Sequence, residues 1–203
     1  MEKQVFMSTD SGHPEMPSSV ERMLRPERAE TLDPFRVMSH CPVTPRDIVA
    51  DIGCGPGYFT IPLAKFLVHG KVFALDTSDE MIESCQTRLN EARLGNVEVL
   101  KCQEYEFPVD PDSVDGIFIS VVLHHPSDRV RFLSAAQEML KPGGWCFIIE
   151  WQPRETESGP PQEVRITTEG LREIAAGSEL KFQTSTNLNS DYYVATLIKN
   201  RTI

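Results

Sequence analysis

Three groups of residues in this chain have types and spacings that could do chemistry. The first is a loop with glycine at every second position, Asp51-Ile52-Gly53-Cys54-Gly55-Pro56-Gly57, directly behind the apolar run Ile48-Val49-Ala50. Glycine is needed where backbone passes close to a ligand or takes positive φ, because a Cβ would clash there. A helix start behind such a loop offers N–H groups to a carboxylate or another negative group. The second is Asp76, which closes another apolar run 19 residues after Gly57. The third is the pair His124-His125 behind the run Gly116–Ser120. Imidazole titrates near neutrality, so either could serve as a general base; a structural role at the strand end is the plainer reading. Two histidines without a third ligand make a poor metal site, and no metal is expected.

The glycine spacing excludes one familiar use. A dinucleotide fingerprint needs G-x-G-x-x-G. The third glycine would fall at Tyr58 or Thr60 in the two possible registers. A nicotinamide-dependent oxidoreductase is therefore disfavoured, while a glycine-rich turn in some other α/β protein stays open at this point.

These residues must be positioned by an alternation of strands and helices. Strands are expected over Ile48–Asp51, Lys71–Asp76, Val97–Lys101, Gly116–Ser120 and Trp145–Glu150. Most are near-continuous apolar runs, as parallel strands covered on both faces should be. A helix-compatible run spans Tyr58 to Leu67. Thr77-Ser78-Asp79-Glu80 reads as a capping box, with Met81, Ile82, Cys85 and Leu89 on the helix face behind it. Ser127 is expected to cap a helix whose apolar positions include Phe132, Leu133, Ala136, Met139 and Leu140, stopping at the turn Lys141-Pro142-Gly143-Gly144. Asp33-Pro34 is a helix start in which Phe35 and Met38 share a face and which ends before Pro42. Beyond Glu150, Gln152–Gln162 reads as loop, Thr167 or Thr168 starts a short helix to Gly177, and Leu180–Thr186 and Tyr192–Lys199 form a hairpin. Five β-α units, a helix and a hairpin make an α/β three-layer sandwich. Residues 1–25 are expected to be a flexible segment and 26–203 one domain.

The pattern Asp51-x-Gly53-x-Gly55-x-Gly57, Asp76, Leu123-His124-His125-Pro126 and Leu140-Lys141-Pro142-Gly143-Gly144 resembles the class I S-adenosylmethionine (SAM) methyltransferases, over residues from about 25 to 151. It is most similar to the small-molecule group that includes the quinone C-methyltransferases. The resemblance implies a seven-stranded, mostly parallel Rossmann-like sheet with an antiparallel terminal strand. It implies SAM as cofactor, its methionine part over Gly53, Cys54, Gly55 and Gly57, with Asp51 orienting that loop or meeting the ligand's amino group. Asp76 would accept the ribose hydroxyls, with Thr77 beside it; a plain helix-capping acid is the alternative. Met81 would pack near the adenine, or be an ordinary core residue. Where the family commonly has Asp, this chain has Gln103, an uncharged acceptor, with Glu104 next to it. Ser120, His124 and His125 would stand where donor meets acceptor.

The implied activity is methyl transfer from SAM to a small-molecule acceptor. The alternatives are a catalytically silent SAM-binding or partner-binding domain and, lower, a metalloid-type chemistry through Cys41, Cys54 and Cys102. The chain has 203 residues and a formal net charge of -10, which argues against non-specific binding to nucleic acid or to an anionic membrane. No run approaches the roughly 20 apolar residues of a membrane span. Five cysteines without a C-x-x-C suit a reduced, cytoplasmic compartment.

Overall fold

The computed structural model describes residues 18–156 and 159–201. Residues 1–17, most of the segment expected to be flexible, lie outside the described residues. The segment's remainder is not loop. Ser19–Met23 forms a helix, α1, closed by a capping box in which the Ser18 hydroxyl accepts from the Glu21 N–H and the Glu21 carboxylate from the Ser18 N–H. Two short helices follow, α2 (Arg28–Thr31) and α3 (Pro34–Met38). Asp33 caps α3 with Pro at its first position, as the sequence predicts. Its buried face is Val37, with Leu32 just before it; Phe35 is 78% exposed and shares no core face with Met38.

The seven strands are β1 (Ile48–Ile52), β2 (Lys71–Asp76), β3 (Val97–Lys101), β4 (Val114–Ser120), β5 (Leu140–Trp151), β6 (Leu180–Asn187) and β7 (Tyr192–Lys199). They form one sheet in the order β3-β2-β1-β4-β5-β7-β6, parallel through β5, with β7 inserted antiparallel between β5 and β6. The helices between them are α4 (Thr60–Phe66), α5 (Asp79–Glu91), α6 (Arg129–Glu138) and α7 (Thr168–Gly177). The sheet's buried residues divide into two main clusters. One holds Ile117, Ile119, Ile148 and Leu133; the other holds Val49, Leu63, Phe118 and Phe147. Residues alternate between clusters along β4, which is the signature of a strand buried on both faces.

Several local expectations shift by one to five positions. Ser78, not Thr77, caps α5, accepting from the Met81 N–H at 3.5 Å. Asp128, not Ser127, caps α6, accepting from Arg131 at 2.9 Å, while the Ser127 hydroxyl meets that of Tyr105. Helix α4 starts at Thr60 because Gly57–Phe59 are still turning out of the loop. Met139 ends α6, and Leu140 already pairs with Val114 in the sheet. The run Lys141–Gly144 therefore does not precede β5 but lies inside it, as a bulge: it stands opposite Asp115 alone, between the Val114–Leu140 and Gly116–Trp145 pairs. Gly116 is required there, since a Cβ would sit 2.1 Å from the Trp145 indole.

Strand order reverses on either side of β1, with the crossover to β2 on one side and β4 on the other. Open α/β sheets form their ligand crevice at this point, outside the carboxyl ends of the strands. Asp51, Asp76, Ser120 and Trp151 all stand at those ends. The antiparallel insertion brings Tyr192 to the same rim, because the first residue of β7 pairs with Trp151, the last of β5.

Candidate active site

A cleft of about 1240 Å³ opens at this rim. Single small-molecule sites are usually about 300–1,000 Å³, so it has room for two ligands side by side. Its floor is the glycine loop. Gly53, Gly55 and Gly57 all have positive φ, at 72°, 54° and 82°. Gly53 has a second reason to be glycine: a Cβ would lie 2.3 Å from a methyl of Val122.

The loop's own amides are turned inward. The Gly53 and Cys54 N–H groups both donate to the Leu75 carbonyl, at 2.8 and 3.0 Å. The Gly55 N–H donates to Asp76 Oδ2 at 2.9 Å, and that of Gly57 to the Cys54 carbonyl at 3.0 Å. Pro56 has no N–H. A pyrophosphate cradle needs those donors; this loop presents bare backbone instead.

Asp76 thus has a structural task that its spacing does not disclose. One oxygen holds the glycine loop and the other accepts the Ser78 N–H at 2.9 Å, so the carboxylate ties β1's loop to the start of α5. It also lines the cleft. A carboxylate has about four acceptor positions, so each oxygen keeps one for a ligand hydroxyl. Asp51 is 2% exposed and accepts from the Thr60 hydroxyl at 2.6 Å. Burial pushes its carboxyl up to about 7, against the pull of the Thr60 hydrogen bond.

Cys54, Gly55 and Thr77 reach the cleft beside these two acids, and Gln103 and Glu104 form its wall beyond β3. Gln103 is held by a bridge to Glu106, its N–H donating to the Glu106 carbonyl at 3.1 Å. Three expected residues do not line the cleft. Gly57 packs against Cys85 of α5, Met81 is buried under the same helix, and His124 is turned into the protein. Nor do the three cysteines of the metalloid reading gather: Cys41 belongs to the cluster of Val37 and Trp145, away from Cys54 and Cys102. Among the described residues no group of three or more metal-ligating side chains occurs.

The two histidines divide their work. His124 Nδ1 lies 2.9 Å from Glu150 Oε2, and the His124 backbone N–H donates to Oε1 at 3.2 Å; Glu150 is fully buried and takes the Trp151 backbone N–H as well. His125 stacks on the His124 ring at 4.1 Å between centroids and faces the cleft. Burial and the neighbouring His124 lower its basicity below the ordinary histidine value. Val121, just before this turn, has φ of 59°, rare for a β-branched residue and the kind of strain that collects at functional sites. Ser120, which opens onto the cleft, has a buried hydroxyl, the sole buried side-chain nitrogen or oxygen among the described residues with no hydrogen-bond partner. An orphaned hydroxyl on a cleft floor is a place prepared for a ligand.

The cleft's second half escapes a reading of motifs. It is built from Arg28 and Leu32, from Tyr58, and from Trp151, Tyr192 and Asp191. Tyr58 donates to the Leu32 carbonyl at 3.0 Å, and Arg36 to that of Leu188 at 2.6 Å, so the hairpin loop and the turn before α4 clamp the amino-terminal helices over the site. The cation–aromatic contact of Arg28 on Tyr58 joins residues far apart in sequence, and only the fold brings them together.

Known proteins resemble this chain in sequence and in fold. A family model for a methyltransferase domain matches residues 49–144. The demethylmenaquinone methyltransferase of Lactococcus lactis is 32% identical over 103 residues, 50% of this chain and 41% of that protein. The ubiquinone/menaquinone biosynthesis C-methyltransferase UbiE of a Marinomonas species is 29% identical over 111 residues, 54% of this chain and 44% of that one. The chain thus spans less than half the length of these curated relatives. Among solved structures, a SAM-dependent methyltransferase from Aquifex aeolicus superposes with a TM-score of 0.84 at 27% identity, covering 88% of this chain and 96% of that one. The family model covers a little under half of the chain, and together with these relatives and this sheet order it supports a class I SAM-dependent methyltransferase.

Proposed function

We propose that the protein is a methyltransferase that moves the methyl group of SAM to a small-molecule acceptor. The observation that carries this reading is the loop. Its amides at 53, 54, 55 and 57 are all used within the protein, which disfavours a dinucleotide pyrophosphate and leaves bare glycine backbone for a ligand without phosphates to lie on. The acids Asp51 and Asp76 suit a ligand with positive charge and vicinal hydroxyls, and the Ser120 hydroxyl waits beside them. These features fit SAM, whose contribution when bound is a methyl group activated by a sulfonium.

What remains is positioning, exclusion of water and, for some acceptors, removal of a proton. The space beyond the loop, walled by Tyr58, Trp151 and Tyr192, suits an acceptor, which speaks against a silent binding domain. His125 faces that space with lowered basicity, so it is neutral at pH 7 and able to accept a proton. His124, held by Glu150, fixes the turn from which His125 projects.

The test is transfer of labelled methyl from SAM to a panel of carbon, nitrogen, oxygen and sulfur nucleophiles. Product should form with at least one class, and His125→Asn should lower kcat about 10²–10⁴-fold for an acceptor that must lose a proton. Tight binding of S-adenosylhomocysteine with no product from any class would leave a binding domain instead.

A further inference from the structure

The proposed methyl transfer gives no task to Cys54 and Cys85, two free thiols that meet where the glycine loop packs on α5. Cys54 lies in the loop and lines the cleft, 5% exposed; Cys85 stands on α5 and is fully buried. Both belong to one small buried cluster with Ala74 and Leu89. Loop and helix are pressed together here. A Cβ on Gly57 would lie 3.0 Å from the Cys85 Sγ, and Arg88, three residues along α5, donates to the Pro56 carbonyl at 2.6 Å. A thiol–thiol hydrogen bond joins the two sulfurs. It lifts Cys54, the donor, far above the ordinary thiol value, with burial adding to the rise; it holds Cys85, the acceptor, below that value against burial. A pair joined in this way ionises as a unit, and the proton it keeps is shared along the S–H···S contact.

We propose that Cys54 and Cys85 are a redox modification site: a small hydroperoxide entering the cleft oxidises Cys54, and Cys85 closes a disulfide that draws the glycine loop onto α5. When the shared proton rests on Cys85, Cys54 is the thiolate and faces the cleft. Its sulfur attacks a peroxide oxygen, the O–O bond breaks, and the departing alkoxide or hydroxide takes a proton from water. Cys54 is then a sulfenic acid, oxidised by two electrons, and the peroxide is reduced. The Cys85 sulfur next attacks the Cys54 sulfur; the S–O bond breaks, and the leaving hydroxide takes the Cys85 proton to become water. Two thiols and one hydroperoxide thus give a disulfide, one water and one alcohol, or a second water where the oxidant is hydrogen peroxide. A disulfide holds its sulfurs about 2.05 Å apart, far closer than a hydrogen bond does, so loop and helix must shift. The Cys54 N–H donates to Leu75 and the next N–H to Asp76, and moving Cys54 disturbs both. The effect on a nucleoside rests on the SAM reading; the disulfide does not.

The test treats the native protein with hydrogen peroxide, with and without S-adenosylhomocysteine, and maps its peptides under non-reducing conditions. A Cys54–Cys85 linked peptide is expected, with loss of two of the five free thiols and slower linkage when the nucleoside is bound. The linked form should bind S-adenosylhomocysteine about tenfold or more weakly, the scale of one displaced hydrogen bond to a charged group. Dithiothreitol should restore both thiols and affinity. Untreated Cys85→Ser should bind the nucleoside as the wild type does, but peroxide should leave its Cys54 as a sulfenic acid that dimedone traps, with no linked peptide. Cys85→Ala serves in the same scheme should the serine variant fail to fold. Both thiols surviving peroxide, Cys54 linked to a different cysteine, linkage as fast with the cleft filled, or a linked form with unchanged affinity would each overturn the inference. A wild type that binds no S-adenosylhomocysteine before oxidation defeats the SAM reading, while the peptide map still decides on the pair.

Discussion

Asp51 and Asp76 are two acids at the ends of neighbouring strands with different fates. Asp76 keeps lone pairs toward the cleft while its oxygens hold two backbone amides. Asp51 lies in the cleft lining but is only 2% exposed, and burial raises its carboxyl to about 7. A carboxyl raised on folding keeps its proton in the native state after the unfolded chain has lost it. Asp51 therefore lowers stability progressively as pH climbs from about 4 to about 7. Asp51→Asn should flatten that part of the profile, by up to about 4 kcal/mol between the two ends. Urea unfolding of both proteins across that pH range measures it, and parallel profiles would refute the assignment. Gly53→Ala should cost about 2–3 kcal/mol, since it combines a left-handed backbone with a clash on Val122. The glycines and Asp76 were legible from spacing because backbone needs restrict residue type so strongly. Arg28, Tyr58 and Tyr192 were not, because nothing local constrains them.

At the scale of elements, most strands were readable to within one or two residues, from short length and flanking turn residues, while β5 begins five residues before the expected Trp145 because a bulge over Lys141–Gly144 hides its start. Helix starts were less so. Thr77, Ser78, Ser127 and Asp128 are all competent caps in adjacent pairs, and the winner depends on how the preceding strand delivers the chain. The structure's choice is testable: Asp128→Ala should destabilise by about 1 kcal/mol, and Ser127→Ala by less than half of that. Equal losses would favour the sequence-based cap. The buried Glu150 links β5 to the turn after β4. Glu150→Ala strips partners from His124 Nδ1 and from two backbone amides, so it should cost about 3 kcal/mol in chemical denaturation. It should also blunt any His125-dependent rate while sparing nucleoside binding, as the glycine loop does not touch it.

The molecule as a whole is a sheet whose strand order changes direction at β1, and that reversal creates the crevice. Neither strand order nor the antiparallel entry of β7 was written in the residues; both were carried by the resemblance, and the sheet has both. What the residues alone did not disclose is how the amino-terminal helices and the hairpin loop enclose the cleft through Tyr58, Arg36 and Asn189. Among the described residues no helix is long and apolar enough to cross a membrane.

The central claim is that the inward-turned glycine loop and Asp76 form one seat for the nucleoside of SAM. Titration of S-adenosylhomocysteine into the wild type, Asp76→Asn and Asp76→Ala tests it directly. Micromolar binding to the wild type is predicted, weakened by roughly 1–3 kcal/mol in Asp76→Ala and by less in Asp76→Asn, with no heat from NADH in any of them. An unchanged affinity in Asp76→Ala, or NADH binding in place of S-adenosylhomocysteine, would contradict it.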